Sequence, residues 1–324
     1  MPKYKPYKTE IVDPSGVDTS ILPRPMEMGS DETRDAKVKE TSGEPIVDYA
    51  GETNPYIDYQ SIDILLSLQH PRSEGYDELC FIVMGQVKEM LFKGFHFELK
   101  NAQMQIREDN LENAMEILTR AIAYAKYIAD TWNVLSTIST EGFSEFRNNL
   151  GTASGQLSFM YRHVEFVLGN KSKRLATAHK NVSHVWPEIE RSLNSPSLYD
   201  DVIQLLNRRG YNIDEEMLDR DWSKTYQHNS SVEEAWLKIY QKAEPTNDLY
   251  NLGEKLTSLD ENFSIYRWRH FLTVQKIIGY KPGTGGSAGV GWLEKVTSHR
   301  FFPELWSIRT CLLYTSDAAD ESSS

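Results

Sequence analysis

The chain has 324 residues, of which 40% are hydrophobic and 25% charged, with a formal net charge of -12 and a pI near 5.2. An acidic chain of this composition excludes nucleic acid as the expected partner, because phosphate backbones require clustered lysine and arginine. No apolar run is long enough to cross a bilayer, and residues 1–25 lack the apolar core of a signal peptide. The two cysteines, Cys80 and Cys311, provide no disulfide framework. We therefore expect a cytoplasmic protein.

Apolar residues recur at helical spacing through most of the chain. Residues 1–50 lack this periodicity and are predicted to form a mobile polar arm. Long amphipathic helices are predicted at 78–106, 110–139 and 248–279, and a shorter one at 156–168. Strand-like alternation is scarce. The pattern predicts an all-α fold, a helical bundle over 51–310 with an inserted helical section at 171–245.

Two further expectations concern the core of this bundle and the end of the chain. In the helix at 78–106, helical spacing predicts that four large apolar residues belong to the core: Met90, Phe92, Phe95 and Phe97. The sequence CLLYTSDAADE at 311–321 matches the translation of an adapter used in DNA library preparation. Residues 311–324 are therefore interpreted as a non-native tail.

Two segments near the carboxyl end of the bundle carry candidate site residues. His270 lies in an aromatic helical segment directly after Arg267 and Arg269, and an imidazole there suits either a structural role or iron ligation. The glycine-rich run 283–289 follows that helix directly. It lacks the ending of a nucleotide-binding P-loop, so it is either a linker or a loop whose backbone approaches a ligand closely.

Arg147 is the third candidate from composition alone. It follows Phe143 and Phe146 and precedes Gly151. An arginine of this kind is commonly a surface residue, but among aromatic residues in an acidic chain it also suits a clamp for a carboxylate.

Taken together, these segments resemble the tryptophan 2,3-dioxygenase family in order and spacing over about residues 55–310. The motifs that carry the resemblance are Tyr56-Ile-Asp-Tyr59, Ile64-Leu-Leu-Ser-Leu-Gln69, Phe81-Ile-Val-Met-Gly-Gln-Val-Lys-Glu-Met-Leu-Phe-Lys93, Phe146-Arg147, Ala153-Ser154-Gly155, Arg162-x-x-Glu165, Arg267-Trp-Arg-His270 and Gly283-Thr-Gly-Gly-Ser287. The resemblance implies an all-α homotetramer with non-covalent haem b that converts L-tryptophan and O2 to N-formylkynurenine.

The same resemblance implies roles for individual residues. His270 is implied as the iron ligand, and Arg147 as the partner of the substrate carboxylate. Thr284 is implied to bond the ammonium or carboxylate of the substrate. The remaining implied roles are the aromatic walls of the substrate pocket (Phe81, Phe143), the haem contacts (Ser154, Arg267, Trp268, Arg269) and contacts to a neighbouring subunit's pocket (Tyr56, Tyr59).

One position departs from the family pattern. Gly85 stands where the family places a distal histidine that helps to orient the indole ring. His96 cannot replace it, because eleven residues along a helix correspond to about 16 Å of rise. A lost hydrogen bond to a buried N–H costs about 1–3 kcal/mol. Its loss leaves the indole ring less firmly oriented and weakens discrimination between substrates, but it does not remove the chemistry that the cofactor supplies.

Three hypotheses follow from these residues. The first is a haem dioxygenase acting on L-tryptophan. The second, motivated by Gly85, is a haem monooxygenase or hydroxylase acting on a substituted indole or another aromatic amino acid. The third is a haem-binding sensor or other non-catalytic helical module.

Overall fold

The structure is a computed structural model that describes residues 15, 17, 19–20, 22–49 and 54–321, with side chains up to residue 312. Within those residues every regular element is a helix and no strand is formed, so the predicted all-α fold is confirmed. The chain divides into two compact units between Ile82 and Val83, and each unit is described by itself.

The described part of the first unit contains three short helices and the start of a long one: α1 (Asp31–Glu40), α2 (Pro55–Gln60), α3 (Ile62–Leu66) and the beginning of α4 (Glu78–Arg107). Helix α1 falls in the segment predicted as a mobile arm. Its first turn is fixed by a capping box, in which Ser30 and Thr33 exchange hydrogen bonds. The rest of that predicted arm lies partly outside the described residues.

The second unit contains the remainder of α4 and eleven further helices among its described residues. These are α5 (Leu111–Leu135), α6 (Thr140–Phe146), α7 (Phe159–Val167), α8 (Lys173–Ala176), α9 (Trp186–Asn194), α10 (Leu198–Arg208), α11 (Glu215–Leu218), α12 (Ser230–Tyr240), α13 (Asp248–Ile278), α14 (Val290–Thr297) and α15 (Pro303–Glu321).

Helices α5 and α13 pack along each other and form the centre of the second unit. The face of α5 that is buried carries small residues among larger ones, including Ala114, Ala121 and Ala125, which are fully buried. Small side chains let two helix backbones approach closely, and this explains the long shared contact. At the start of α13, Asn247 accepts a hydrogen bond from the backbone N–H of Tyr250.

The section predicted as inserted is broken into short helices, as its sequence suggests. Pro187 occupies the first turn of α9, where proline is tolerated. Helix α10 ends near Gly210, whose φ of +86° is a conformation that favours glycine. None of the helices in the described ranges is long and apolar enough to cross a membrane.

The predicted core positions of α4 divide into two sets. Phe92 and Phe95 are buried, as predicted. Met90 and Phe97 are 45% and 64% exposed, so their assignment to the core of this chain is wrong. They stand seven residues apart, with Met104 a further seven along, and therefore share one outward-facing side of the helix.

Two partly buried neutral histidines make the fold sensitive to acid. Burial lowers the pKa of both His96 and His299 to about 4. Between pH 6.5 and 4 the unfolded chain therefore binds protons that the folded chain does not, so stability falls as the pH falls. Each histidine contributes at most about 3 kcal/mol to this loss.

We expect urea unfolding at pH 5 to give a markedly smaller free energy of unfolding than at pH 7. The His96→Gln variant should lose less stability over that interval than the parent chain. An equal loss in both proteins would contradict the assignment of His96.

Candidate functional site

His270 lies on α13 and packs against an aromatic ring of α5. Its imidazole stacks on Trp132, with ring centroids 4.4 Å apart and planes 10° apart, and Tyr266 lies 6.3 Å away. Burial and the charge of Lys88 lower the pKa of His270 to about 3. The imidazole is therefore neutral at physiological pH, which is the form that ligates a metal.

Lys88 of α4 is the third member of this cluster. Its side chain is buried, with 9% of the residue exposed, and its Nζ lies 3.2 Å from the centroid of the Trp132 ring. Burial lowers the pKa of Lys88 to about 7. Helices α4, α5 and α13 thus bring a cation, an indole and an imidazole together.

The segment after α6 and the glycine-rich loop after α13 hold each other in place. Arg147 Nη2 donates to the carbonyl of Pro282 at 2.7 Å, and Thr284 Oγ1 donates to the carbonyl of Ala153 at 2.6 Å. No carboxylate partner for Arg147 is found among the described residues. The structure therefore brings together the two segments that carry Arg147 and Thr284, two residues predicted to bind substrate.

Glycine is required at two positions of this loop. A Cβ at Gly285 would lie 2.7 Å from the Cβ of Ser154, so the backbone meets the predicted haem-contact residue directly. Gly289 has a φ of +61°, and a Cβ there would lie 2.5 Å from the carbonyl oxygen of Lys281. The run 283–289 is therefore a close-packed loop and not a free linker.

Comparison with known proteins decides the family. The model of the family described as tryptophan 2,3-dioxygenase matches residues 42–312. A tryptophan 2,3-dioxygenase of Burkholderia pseudomallei is 41% identical over 257 residues, covering 79% of this chain and 84% of the relative. Those of Cupriavidus necator and Ralstonia pickettii are each 40% identical, covering 82% and 79% of this chain and 90% and 92% of the relatives.

The chain belongs to the tryptophan 2,3-dioxygenase family. The resemblance that the sequence motifs indicated is confirmed.

Within this family framework, the two arginines that precede His270 have partners inside the protein. Arg267 is 4% exposed and lies 3.4 Å from a carboxylate oxygen of Glu165, and it also donates to the carbonyl of His299. Arg269 pairs with Asp130 of α5. Trp268 is 46% exposed. The haem contacts of these three residues stay predictions.

Three of the predicted site residues belong to the first unit. Phe81 is partly buried in α4, whereas Tyr56 and Tyr59 of α2 are 65% and 80% exposed. Their predicted contacts with substrate stay predictions. In the second unit, Phe143 packs edge-on against Phe146, with ring centroids 5.1 Å apart, immediately before Arg147.

Gly85, the departure from the family pattern, faces open space. A Cβ built at this position meets no atom of the described chain within 4 Å. The helix therefore accepts a Cβ here without moving its neighbours. Glycine is therefore not needed for packing at this position. Its predicted effect is on the substrate, because it leaves empty the space that a distal histidine side chain would occupy.

Sequence reasoning missed Lys88 and Trp132. Trp132 was contained in a correctly predicted helix, but helical spacing does not show which ring an aromatic residue will contact. The sequence does show that Lys88 lies one turn after Gly85 in a motif helix. Only the structure shows that Lys88 is buried, which is rare for a lysine without a partner.

Proposed function

We propose that this chain is a haem-dependent dioxygenase that inserts both atoms of O2 into the indole ring of L-tryptophan to give N-formylkynurenine. The observation that carries the proposal is the pair of hydrogen bonds that join the segment of Arg147 to the loop of Thr284, in a chain that belongs to the tryptophan 2,3-dioxygenase family. The loop that bears Thr284 begins where the helix of His270 ends.

The residues around His270 fit haem b as the cofactor. The imidazole is neutral, and no hydrogen bond to its ring is found among the described residues. The neighbouring surfaces of Trp132 and Tyr266 are aromatic, as a porphyrin face requires. Gly151 and Gly155, on either side of Ser154, face open space in which an added Cβ meets nothing. We infer that His270 ligates the iron and that Ser154 lies beside the macrocycle.

Haem, when bound, supplies the activation of O2. The remaining tasks belong to the chain. Arg147 offers a planar, permanently charged group to the carboxylate of the amino acid. Thr284 offers a hydroxyl to its polar backbone, and Phe143 provides an apolar wall for the ring. These contacts fix the indole in one orientation, and holding reactants in place is itself a large part of catalysis.

The overall reaction balances without an external electron donor. The C2–C3 bond of the indole pyrrole ring breaks, and each of the two carbons receives one oxygen atom. The protein therefore needs to orient the ring and exclude water, and it needs no general base for a net proton transfer.

Gly85 favours a second candidate, a haem monooxygenase or hydroxylase acting on a substituted indole or another aromatic amino acid. The open space at this glycine leaves room for a ring substituent. Turnover under ¹⁸O2 with mass analysis of the product separates the two candidates. A gain of two labelled atoms by tryptophan supports dioxygenation, whereas a gain of one contradicts it.

The Gly85→His variant tests what the missing side chain does. We expect it to fold normally, because an added Cβ meets open space. Selectivity is measured here as the ratio of kcat/KM for L-tryptophan to kcat/KM for a ring-substituted analogue. This ratio should rise about tenfold in the variant, which is the effect of one well-placed hydrogen bond. Gly291, where an added Cβ also meets open space, offers a matched control in Gly291→Ala. Unchanged selectivity in Gly85→His would show that the position does not contact the substrate.

We further propose that the chain acts as a cytoplasmic homotetramer. The exposed side of α4 formed by Met90, Phe97 and Met104 is apolar and is 45–64% exposed in the single chain. Exposed apolar rows of this kind favour burial against another subunit. Cys80, which lies outside the segment interpreted as a non-native tail, is free, in keeping with a reducing compartment.

A further inference from the structure

Lys88 is a buried cation without a conventional partner. In the described part of the chain, its Nζ forms neither a salt bridge nor a hydrogen bond, and it lies over the face of the Trp132 ring. Burying an ammonium group without a hydrogen-bonded partner is costly. Such a group is retained at sites where a ligand completes it.

A second buried lysine shows what a structural role looks like in this chain. Lys171 is 3% exposed, and its Nζ donates to the carbonyl oxygens of Ser192, Leu193 and Ser195 at 2.6, 3.3 and 2.7 Å. These acceptors lie at the end of α9, where backbone carbonyls lack helical partners. Lys88 has no equivalent set of acceptors among the described residues.

An unsatisfied donor lies beside Lys88. Trp132 Nε1 is buried and has no hydrogen-bond partner within the residues that the structure describes. Two polar donors in one cluster, both lacking an acceptor, indicate that the cluster is built around an acceptor supplied by a ligand. The same Trp132 ring stacks on His270, so this acceptor would lie close to the proposed iron ligand.

The position of Lys88 along α4 connects it with Gly85. Residues three apart on a helix share a face, so Lys88 projects from the side of α4 on which Gly85 leaves open space. A lysine side chain is long and flexible, and its ammonium carries three donors. It therefore has the reach to place a donor beside the space that this glycine leaves without a polar side chain.

We propose that Lys88 is a ligand-selecting residue of the haem site. Its ammonium attracts and donates hydrogen bonds to small anions that bind at the iron held by His270. This inference rests on the proposed function, since it requires that His270 binds haem. The distal polarity and hydrogen-bond donors of a haem pocket determine which ligands bind there. A buried cation favours anions and stabilises negative charge that develops on oxygen during turnover.

The test is an azide titration of the ferric holoenzyme at pH 6, followed by the shift of the Soret band. We expect Lys88→Met to raise the Kd for azide at least tenfold, because the variant keeps the volume and removes the charge. Lys88→Arg should retain the parent affinity within about threefold, since the charge remains. Lys93 is exposed on the same helix, and Lys93→Met is the matched control that should not change the Kd.

A second measurement reports the charge independently of azide binding. A cation near bound carbon monoxide lowers the C–O stretching frequency, so this frequency should rise in Lys88→Met and remain unchanged in Lys93→Met. Parent values of both azide Kd and C–O stretch in Lys88→Met would overturn the proposal. A Lys88→Met protein that folds but no longer retains haem would also overturn it, because Lys88 would then be an anchoring residue. A parent protein without a Soret band would refute the proposed function instead.

Discussion

Replacing Arg147 by alanine is expected to lower kcat/KM for L-tryptophan about 100-fold or more. The guanidinium donates one hydrogen bond to the carbonyl of Pro282, and no carboxylate pairs with it among the described residues. Its charge is therefore available to a substrate carboxylate. Removing one partner of such a charged pair costs about 2–5 kcal/mol, and each 1.4 kcal/mol is a factor of ten in rate.

Two comparisons make this result specific. Arg147→Lys keeps the charge and loses the planar two-point contact, so its activity should fall between those of the parent and the alanine variant. Arg191, an exposed arginine of α9, provides a control in Arg191→Ala that should leave kcat/KM unchanged. An Arg147→Ala enzyme with parent activity and intact haem would show that another group binds the carboxylate.

Replacing Glu165 by glutamine is expected to destabilise the fold by about 3–5 kcal/mol. Glu165 pairs with Arg162 of its own helix and with Arg267 of α13, and all three side chains are at most 3% exposed. The substitution keeps the size of the side chain but removes the carboxylate that the two buried guanidinium groups share. Breaking a buried ion pair on one side costs about this amount.

Urea unfolding, followed by helical circular dichroism, measures the effect. Glu188→Gln is a matched control, because Glu188 pairs with Arg191 at the same spacing but both side chains are more than half exposed. Exposed pairs contribute about 1 kcal/mol or less. Equal losses of stability in the two variants would contradict the assigned role of Glu165. The result also bears on Arg267, whose structural pairing is distinct from its predicted contact with haem.

The sequence was sufficient for the elements of the fold that depend on local pattern. Periodic apolar residues predicted α4, α5 and α13 to within a few residues of their observed ends. Glycine and proline correctly marked the broken section between α7 and α13. The family motifs also predicted that Arg147 and Thr284 belong to one site, and their two segments do contact each other across 131 residues or more.

What the sequence did not predict depends on contacts between distant segments. A helical pattern alone does not reveal that Arg267 pairs with Glu165, 102 residues away. Nor does it reveal that Lys88 and His270 share the Trp132 ring. Met90 and Phe97 were assigned to the core for the same reason, since an apolar face has the same sequence pattern whether it packs within the chain or is exposed.

The visible spectrum of the purified protein, compared with that of His270→Ala, tests the central claim most directly. The claim is that His270 of α13 holds the iron of a haem that carries out the oxygen chemistry. It predicts a Soret band in the parent protein and the loss of that band in His270→Ala, with helical circular dichroism unchanged. A Soret band of equal intensity and position in both proteins would contradict it.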